Sequence, residues 1–129
     1  MLFRSISSHW LTSPFRTFEQ SCGQCHRESR EEMGQRVLHT QDRIKEALDR
    51  AGIANQDAIL AIEKAIAAGV DEEILNEARA LHREAQFYWD LASAENSFGF
   101  HNPQKFFETI ADSIDLARQA ELLVTRAMK

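Results

Sequence analysis

Cys22, Gly23, Gln24, Cys25 and His26 form a CxxCH pentapeptide. Two thiols separated by two residues can each add across a vinyl group of a haem. The histidine that follows then lies beneath the ring, with its imidazole within reach of the iron. Both thioethers and one axial bond must form on a single short turn, and that requirement sets the spacing. The same residues have competing uses. A CxxC redox pair belongs beside a strand–helix unit, and no strand pattern is present. A zinc knuckle needs a second ligand pair, whereas the chain has two cysteines in all. Two ordinary cysteines beside an ordinary histidine are the plain alternative. Attachment of haem c is the reading that the spacing favours.

The chain has five histidines, one of them in the motif. His26 is the proximal ligand if the motif holds haem. His101 stands between two long helical patterns, flanked by Phe98 and Phe100 and followed by Asn102-Pro103, where a rigid corner could present an imidazole to iron. A packing or capping role suits it too. His9, in Ser8-His9-Trp10, is a similar candidate with less local support. His39 and His82 fall mid-helix among charged residues, where solvent exposure or ion pairing is the ordinary outcome. Met33 follows His26 by only seven residues, on the helix leaving the same side of the ring, so it reaches the other face poorly. His9 and His101 are one more ligand than a single haem can use, which hints at further haems whose motifs lie outside this chain.

The elements that must position these residues are helical. Residues 1–21 read as an irregular lead-in, with Phe3, Trp10, Phe15 and Phe18 around Pro14 and no sustained period. So many aromatics need an apolar partner, and either a haem face or the helices that follow would serve. Met33, Val37, Ile44, Leu48 and Ala51 predict a first helix over about 28–51, stopped by Gly52. Asn55 reads as the cap of a second helix ending at Gly69, with Ile59, Ile62 and Ile66 buried. Ile74, Ala78, Leu81, Ala85, Tyr88 and Ala92 alternate by four and three in a third helix, from Asp71 or Glu72 to Ser97. Phe98-Gly99-Phe100 breaks it. Asn102 and Pro103 then open a last helix, with Phe107, Ile110, Ile114, Ala117 and Val124 inward. The expected fold is all-α: a long-helix bundle with an irregular N-terminal lead-in and a c-type haem attachment turn. Residues 1–27 form the lead-in with the motif and 28–129 the helical, dimerising segment, together one structural unit that is part of a longer protein.

Composition narrows the partners. A chain of 129 residues suggests one domain, and 43% hydrophobic with 27% charged residues is ordinary for a soluble protein. A net charge of -5 makes nucleic acid or an anionic membrane an unattractive partner. No apolar run approaches the roughly 20 residues of a membrane span. The opening MLFRSISSHWLTSPF lacks the continuous apolar region of a secretory signal. Covalent haem attachment takes place outside the cytoplasmic membrane. A periplasmic or otherwise exported location is therefore expected, although no signal peptide is present in this chain.

Longer stretches carry a family resemblance. His9-Trp10-x-x-Ser13-Pro14-Phe15 precedes Ser21 and the CxxCH motif; Gln35-Arg36-Val37 and Gln41-Asp42-Arg43 follow. Arg83-x-Ala85-Gln86-Phe87-x-Trp89-Asp90 then runs into Ala94-Glu95-Asn96-Ser97 and Gly99-Phe100-His101-Asn102-Pro103. Over nearly the whole chain this resembles the C-terminal part of the ammonia-forming cytochrome c nitrite reductases, periplasmic multihaem enzymes. The Gln-Phe-x-Trp-Asp helix and the Gly-Phe-His-Asn-Pro corner are the specific elements. The resemblance implies that CGQCH is the last haem site of five, with Cys22 and Cys25 as anchors and His26 as proximal ligand. It implies that His9 and His101 are distal ligands to haems, and that the long C-terminal helices form a homodimer interface. The lysine-ligated catalytic haem, the residues around nitrite and the calcium site are expected upstream, so this chain alone should not reduce nitrite. The implied partners are the upstream remainder of the enzyme and an electron-donor cytochrome or quinol dehydrogenase. Two other classes remain at this stage: a stand-alone monohaem electron carrier and a haem-free helical interaction module.

Overall fold

Ser29 and Glu32 open the first long helix in the computed structural model, which describes residues 13–129. The Glu32 amide donates to Ser29 Oγ at 3.2 Å, and the Ser29 amide donates to Glu32 Oε2 at 2.9 Å. This reciprocal capping box satisfies two amides that the first turn leaves without partners. The described residues form three α-helices, α1 (Arg30–Ala67), α2 (Glu72–Ser93) and α3 (Pro103–Ala127), preceded by 3₁₀ segments at Pro14–Gln20 and Cys22–Gln24. No strand occurs among them, as the periodicity requires. Two compact units are present, and the division falls between Val37 and Leu38, inside α1.

In the first unit, Ser13 is extended (φ -59°, ψ 129°), as a residue before proline must be, and its Oγ accepts from the Phe15 amide. Phe15 and Phe18 meet in a tilted ring contact with centroids 5.6 Å apart. The Phe15 ring lies beneath the Arg30 guanidinium, 5.5 Å from its centroid, and a Cβ at Gly34 would stand 3.0 Å from Phe15 Cζ. Phe15 therefore packs on the first turns of α1, as the plainer of the two sequence accounts expects.

In the second unit, α1 differs from its expected form: one helix occupies the range expected to hold two. Gly52 does not stop it. A helical glycine costs about 1 kcal/mol relative to alanine, yet the helix runs through it and packs there against Trp89 of α2. A Cβ at Gly52 would meet the indole Nε1 at 3.5 Å, and that Nε1 donates to the Leu48 carbonyl at 3.1 Å. Asn55 is likewise no cap. It is buried within the helix, and its Nδ2 donates to the Ala51 carbonyl and to Ser113 Oγ of α3. Ser113 Oγ in turn donates to the Ala85 carbonyl of α2 at 2.7 Å, so one polar relay ties three helices together. Ser113→Ala is expected to cost about 1–3 kcal/mol, because it leaves a buried amide donor without this partner. Urea unfolding followed by far-UV circular dichroism measures it, and an unchanged midpoint would make the relay incidental.

Three apolar layers surround that relay. Ile44, Leu48, Phe106 and Ile110 fill one, and Ile62, Leu75 and Val124 another. Between them lies a layer of alanines at 54, 58, 85, 117 and 120. Each large aliphatic or aromatic side chain contributes roughly 1.5–3 kcal/mol on full burial; the alanines contribute less area but allow close helix approach. Ile59 and Ile66, expected inside, are exposed, because Ala54, Ala58, Ala61 and Ala65 take the inner positions of α1. The α2 seam follows its expected stripe at Ala78, Ala85 and Ala92, all buried, with Leu81 packed beside them; only at the first turn does Leu75 replace Ile74 as the buried residue. In α3, Phe106 rather than Phe107 turns inward.

Helix ends follow local chemistry. Gly69, in the left-handed region at φ 74°, closes α1 while the Val70 amide donates back to the Ala65 carbonyl. Asp71 Oδ1 caps α2 through the Glu73 amide, and Asn102 Oδ1 caps α3 through the Lys105 amide beside Pro103. The start of α3 is as the sequence predicts, but α2 ends at Ser93, four residues before the expected Ser97.

Candidate haem attachment turn and histidine corner

The CxxCH residues occupy one tight turn. The Cys25 and His26 amides both donate to the Cys22 carbonyl, at 3.2 and 2.9 Å. Folding the chain back on Cys22 in this way brings the two cysteines to one turn, and neither forms a disulfide. Cys25 and His26 are exposed and Cys22 is half-buried. Upstream, Ser21 Oγ donates to the carbonyls of Pro14 and Thr17 and fixes the approach to the motif. A Cβ on Gly23 would meet the Phe18 carbonyl and Glu19 Oε2, both at 3.3 Å. His26 Nδ1 lies 3.6 Å from Glu28 Oε2, and Glu28 Oε1 accepts from Arg36. The backbone amide of Glu28 itself, followed by His26 and Arg36, holds that carboxyl below the usual range despite slight desolvation. A carboxylate beside the second ring nitrogen is the usual way a ligating imidazole is oriented.

These features fit covalent haem: two uncrosslinked thiols on one turn, an exposed imidazole immediately after, and a carboxylate behind it. They do not fit a zinc knuckle. No group of three or more His, Cys, Asp or Glu side chains that could hold a metal ion occurs among the described residues.

His101 lies in the second unit, at the corner between α2 and α3. It is exposed, and its ring packs against Phe100 with centroids 5.6 Å apart. Beside it opens a largely apolar cavity of about 420 Å³, lined by Leu91, Ala92, Gly99, His101, Phe106 and Thr109 among others. His9 lies outside the described residues. His39 is exposed. Met33 is buried, which removes it as a ligand candidate in this conformation.

Sequence reasoning missed two residues here. Glu95 organises the His101 corner: its Oε1 accepts from the Ser97 amide, and its Oε2 from Ser97 Oγ and the Gly99 amide. Partial desolvation works against its ionisation, but these bonds and the nearby His101 outweigh it and hold the carboxyl below its ordinary range. The signal was an acidic residue just before a Ser-x-Gly turn. The second is His82, expected in solvent or an ion pair. It is only half-exposed, and its Nε2 is buried with no hydrogen-bond partner among the described residues. It lies midway along the Leu75–Ala78–Ala85–Ala92 seam, a spacing of four after Ala78 that could have exposed it.

Burial lowers the His82 pKa from its ordinary 6.5. The folded chain therefore keeps this imidazole neutral while the unfolded chain takes up a proton first. The contribution of this neutral histidine to stability is therefore fully present above pH 6.5 and is lost as the pH falls below it. His82→Leu is expected to flatten that slope in urea midpoints compared about one unit either side of 6.5. An unchanged slope would assign the acid sensitivity to other groups.

An all-α chain whose CxxCH turn presents two free thiols and an imidazole defines a c-type cytochrome segment. The chain belongs to the cytochrome c552 family, whose model matches residues 3–129. It is 41% identical to cytochrome c nitrite reductase subunit NrfA of Nitratidesulfovibrio vulgaris over 91% of this chain and 25% of that one. It is 30% identical to cytochrome c-552 of Bacteroides thetaiotaomicron over 95% of this chain and 25% of that one. Among solved structures it resembles the catalytic subunit of the Desulfovibrio desulfuricans cytochrome c nitrite reductase, described with two calcium sites. The TM-score is 0.85 at 39% identity, covering 97% of this chain and 28% of that one. The chain thus spans about a quarter of the length of the curated relatives it matches. The family resemblance read from the sequence agrees with these findings, which do not favour the stand-alone carrier or the haem-free module.

Proposed function

We propose that this chain is the C-terminal haem-binding segment of an ammonia-forming cytochrome c nitrite reductase, supplying an electron-transfer haem to an enzyme that reduces nitrite to ammonium. In this reading Cys22 and Cys25 hold haem c through thioethers and His26 is its proximal ligand. His101, at the rim of an apolar cavity, and His9 are distal ligands to haems. The observation that carries the reading is the single turn presenting Cys22, Cys25 and His26 in a chain of this family. When bound, the haem supplies one-electron redox chemistry whose potential is set by axial ligands and burial. The chain's own residues anchor, ligate and orient it, with Glu28 beside the His26 ring. Reduction of nitrite, the calcium site and the catalytic haem belong to the remainder of the enzyme, and the segment alone is inactive on nitrite.

The long helices leave Ile53, Ile59, Leu60 and Ile66 of α1, Phe87 and Leu91 of α2 and Leu122 of α3 exposed. Large apolar side chains on exposed helix faces support a homodimer through these helices. No helix among the described residues is long and apolar enough to cross a membrane. The family membership supports an exported, periplasmic protein that receives electrons from a donor cytochrome or quinol dehydrogenase. The test is a pyridine haemochrome spectrum with intact mass on protein co-expressed with the haem-attachment machinery. A mass gain of one haem supports the reading; an unmodified mass from a folded helical protein overturns it.

A further inference from the structure

We propose that Glu95 is a positioning residue that fixes the imidazole of His101, resting on the reading of His101 as an iron ligand. Two backbone bonds turn the corner from Glu95 to His101, from the Phe98 amide to the Glu95 carbonyl and from the Phe100 amide to the Ser97 carbonyl, and the Glu95 side chain adds to them. Phe98 and Gly99 both lie in the left-handed region, at φ 51° and 75°, a conformation that a phenylalanine adopts only when its surroundings impose it. The Glu95 carboxylate imposes it from within. It accepts from the Ser97 amide at 2.9 Å, from Ser97 Oγ at 2.8 Å and from the Gly99 amide at 2.9 Å, and so brackets Phe98 on both sides. Ser97 Oγ, held by Glu95, accepts in turn from the His101 amide at 3.3 Å. The chain of bonds thus runs from Glu95 through Ser97 to the backbone of the histidine itself. Gln41 Nε2 of α1 donates to the Ser97 carbonyl at 3.1 Å and ties the same serine to the bundle. Phe98 and Gly99 pack against Phe106 and Ile44, so the bracketed turn rests on a fixed floor.

Charge makes this bracket strong. Hydrogen bonds to an ionised carboxylate are about twice as strong as neutral ones, and Glu95 receives three from groups within four residues. Glutamine at the same position keeps the volume but offers one acceptor oxygen and two donors, and two of the three partners are amides that can only donate. Aspartate keeps the charge and is one methylene too short to reach both Ser97 and Gly99. Holding a ligand's backbone in advance lowers the ordering cost of ligation and sets ring orientation, in the way that outer partners orient ligating side chains.

Amide exchange and imidazole resonances, measured by NMR on the full chain, test it. In Glu95→Gln the Ser97 and Gly99 amides are expected to exchange about tenfold faster. The His101 ring signals should broaden, while the amides of α2 and α3 keep their protection and show that the fold persists. In Ser97→Ala, the His101 amide alone should lose protection. Unchanged exchange at Gly99 in Glu95→Gln, or faster exchange with unaltered His101 ring signals, overturns the proposal. The ligand reading is separated by His101→Ala in the haem-loaded enzyme. A low-spin spectrum unchanged by that substitution removes His101 from the iron whatever the exchange data show.

Discussion

Replacing Cys22 and Cys25 together by alanine is expected to abolish covalent haem altogether, the largest effect that any change in this chain should produce. Each thioether needs one sulfur, and the sequence holds no cysteine besides these two. The turn positions both thiols through the two amide bonds to the Cys22 carbonyl, and alanine leaves that backbone arrangement intact. Loss of haem would therefore report chemistry rather than collapse of the turn. His26→Ala should act differently, leaving attachment available while removing a strong-field ligand and changing the optical spectrum. Acid–acetone extraction gives the decision: haem that stays with the double cysteine variant would mean that the attachment site has been misassigned.

Gly99→Ala should have the largest effect on stability, about 3 kcal/mol, from a left-handed backbone and an overfilled core acting together. At φ 75° an alanine carries the steric cost of the left-handed region. Its Cβ would also stand 2.8 and 2.9 Å from Ile44 Cγ1 and Cδ1 and 3.1 Å from Phe106 Cγ. Ile44 is fully buried and Phe106 nearly so, which leaves neither room to retreat. Gly34→Ala offers a contrast, since its nearest obstacle is the far edge of the half-buried Phe15 ring. Urea midpoints of the two variants should differ accordingly. Equal, small losses would show that the corner is more compliant than its contacts indicate.

The helical class, the Pro103 start with its Asn102 cap, the Gly69 stop and the CxxCH turn were legible because each depends on residues close in sequence. The errors in α1 have one origin. Gly52 and Asn55 carry strong local signals for a break, and Trp89 and Ser113, distant in sequence, override them by packing and hydrogen bonding. Ile59 and Ile66 misled for a related reason. Hydropathy ranks isoleucine above alanine, yet where three helices converge the small side chain wins the inner position because it permits close approach. The His101 corner was readable as a break, but its brace was not, since a single carboxylate before a turn looks like an ordinary solvated group. His9 lies outside the described residues, so its placement by resemblance is part of the proposal.

The α2–corner–α3 hairpin has a kinetic consequence. Its two helices pack along each other and are joined only by residues 94–102, so forming their contacts closes short loops at small entropic cost. Chains dominated by such near-in-sequence pairings fold in microseconds to milliseconds. On this basis the hairpin should condense early, and the His101 corner should take its final shape when Gln41 and Ile44 of α1 close over Ser97 and Gly99.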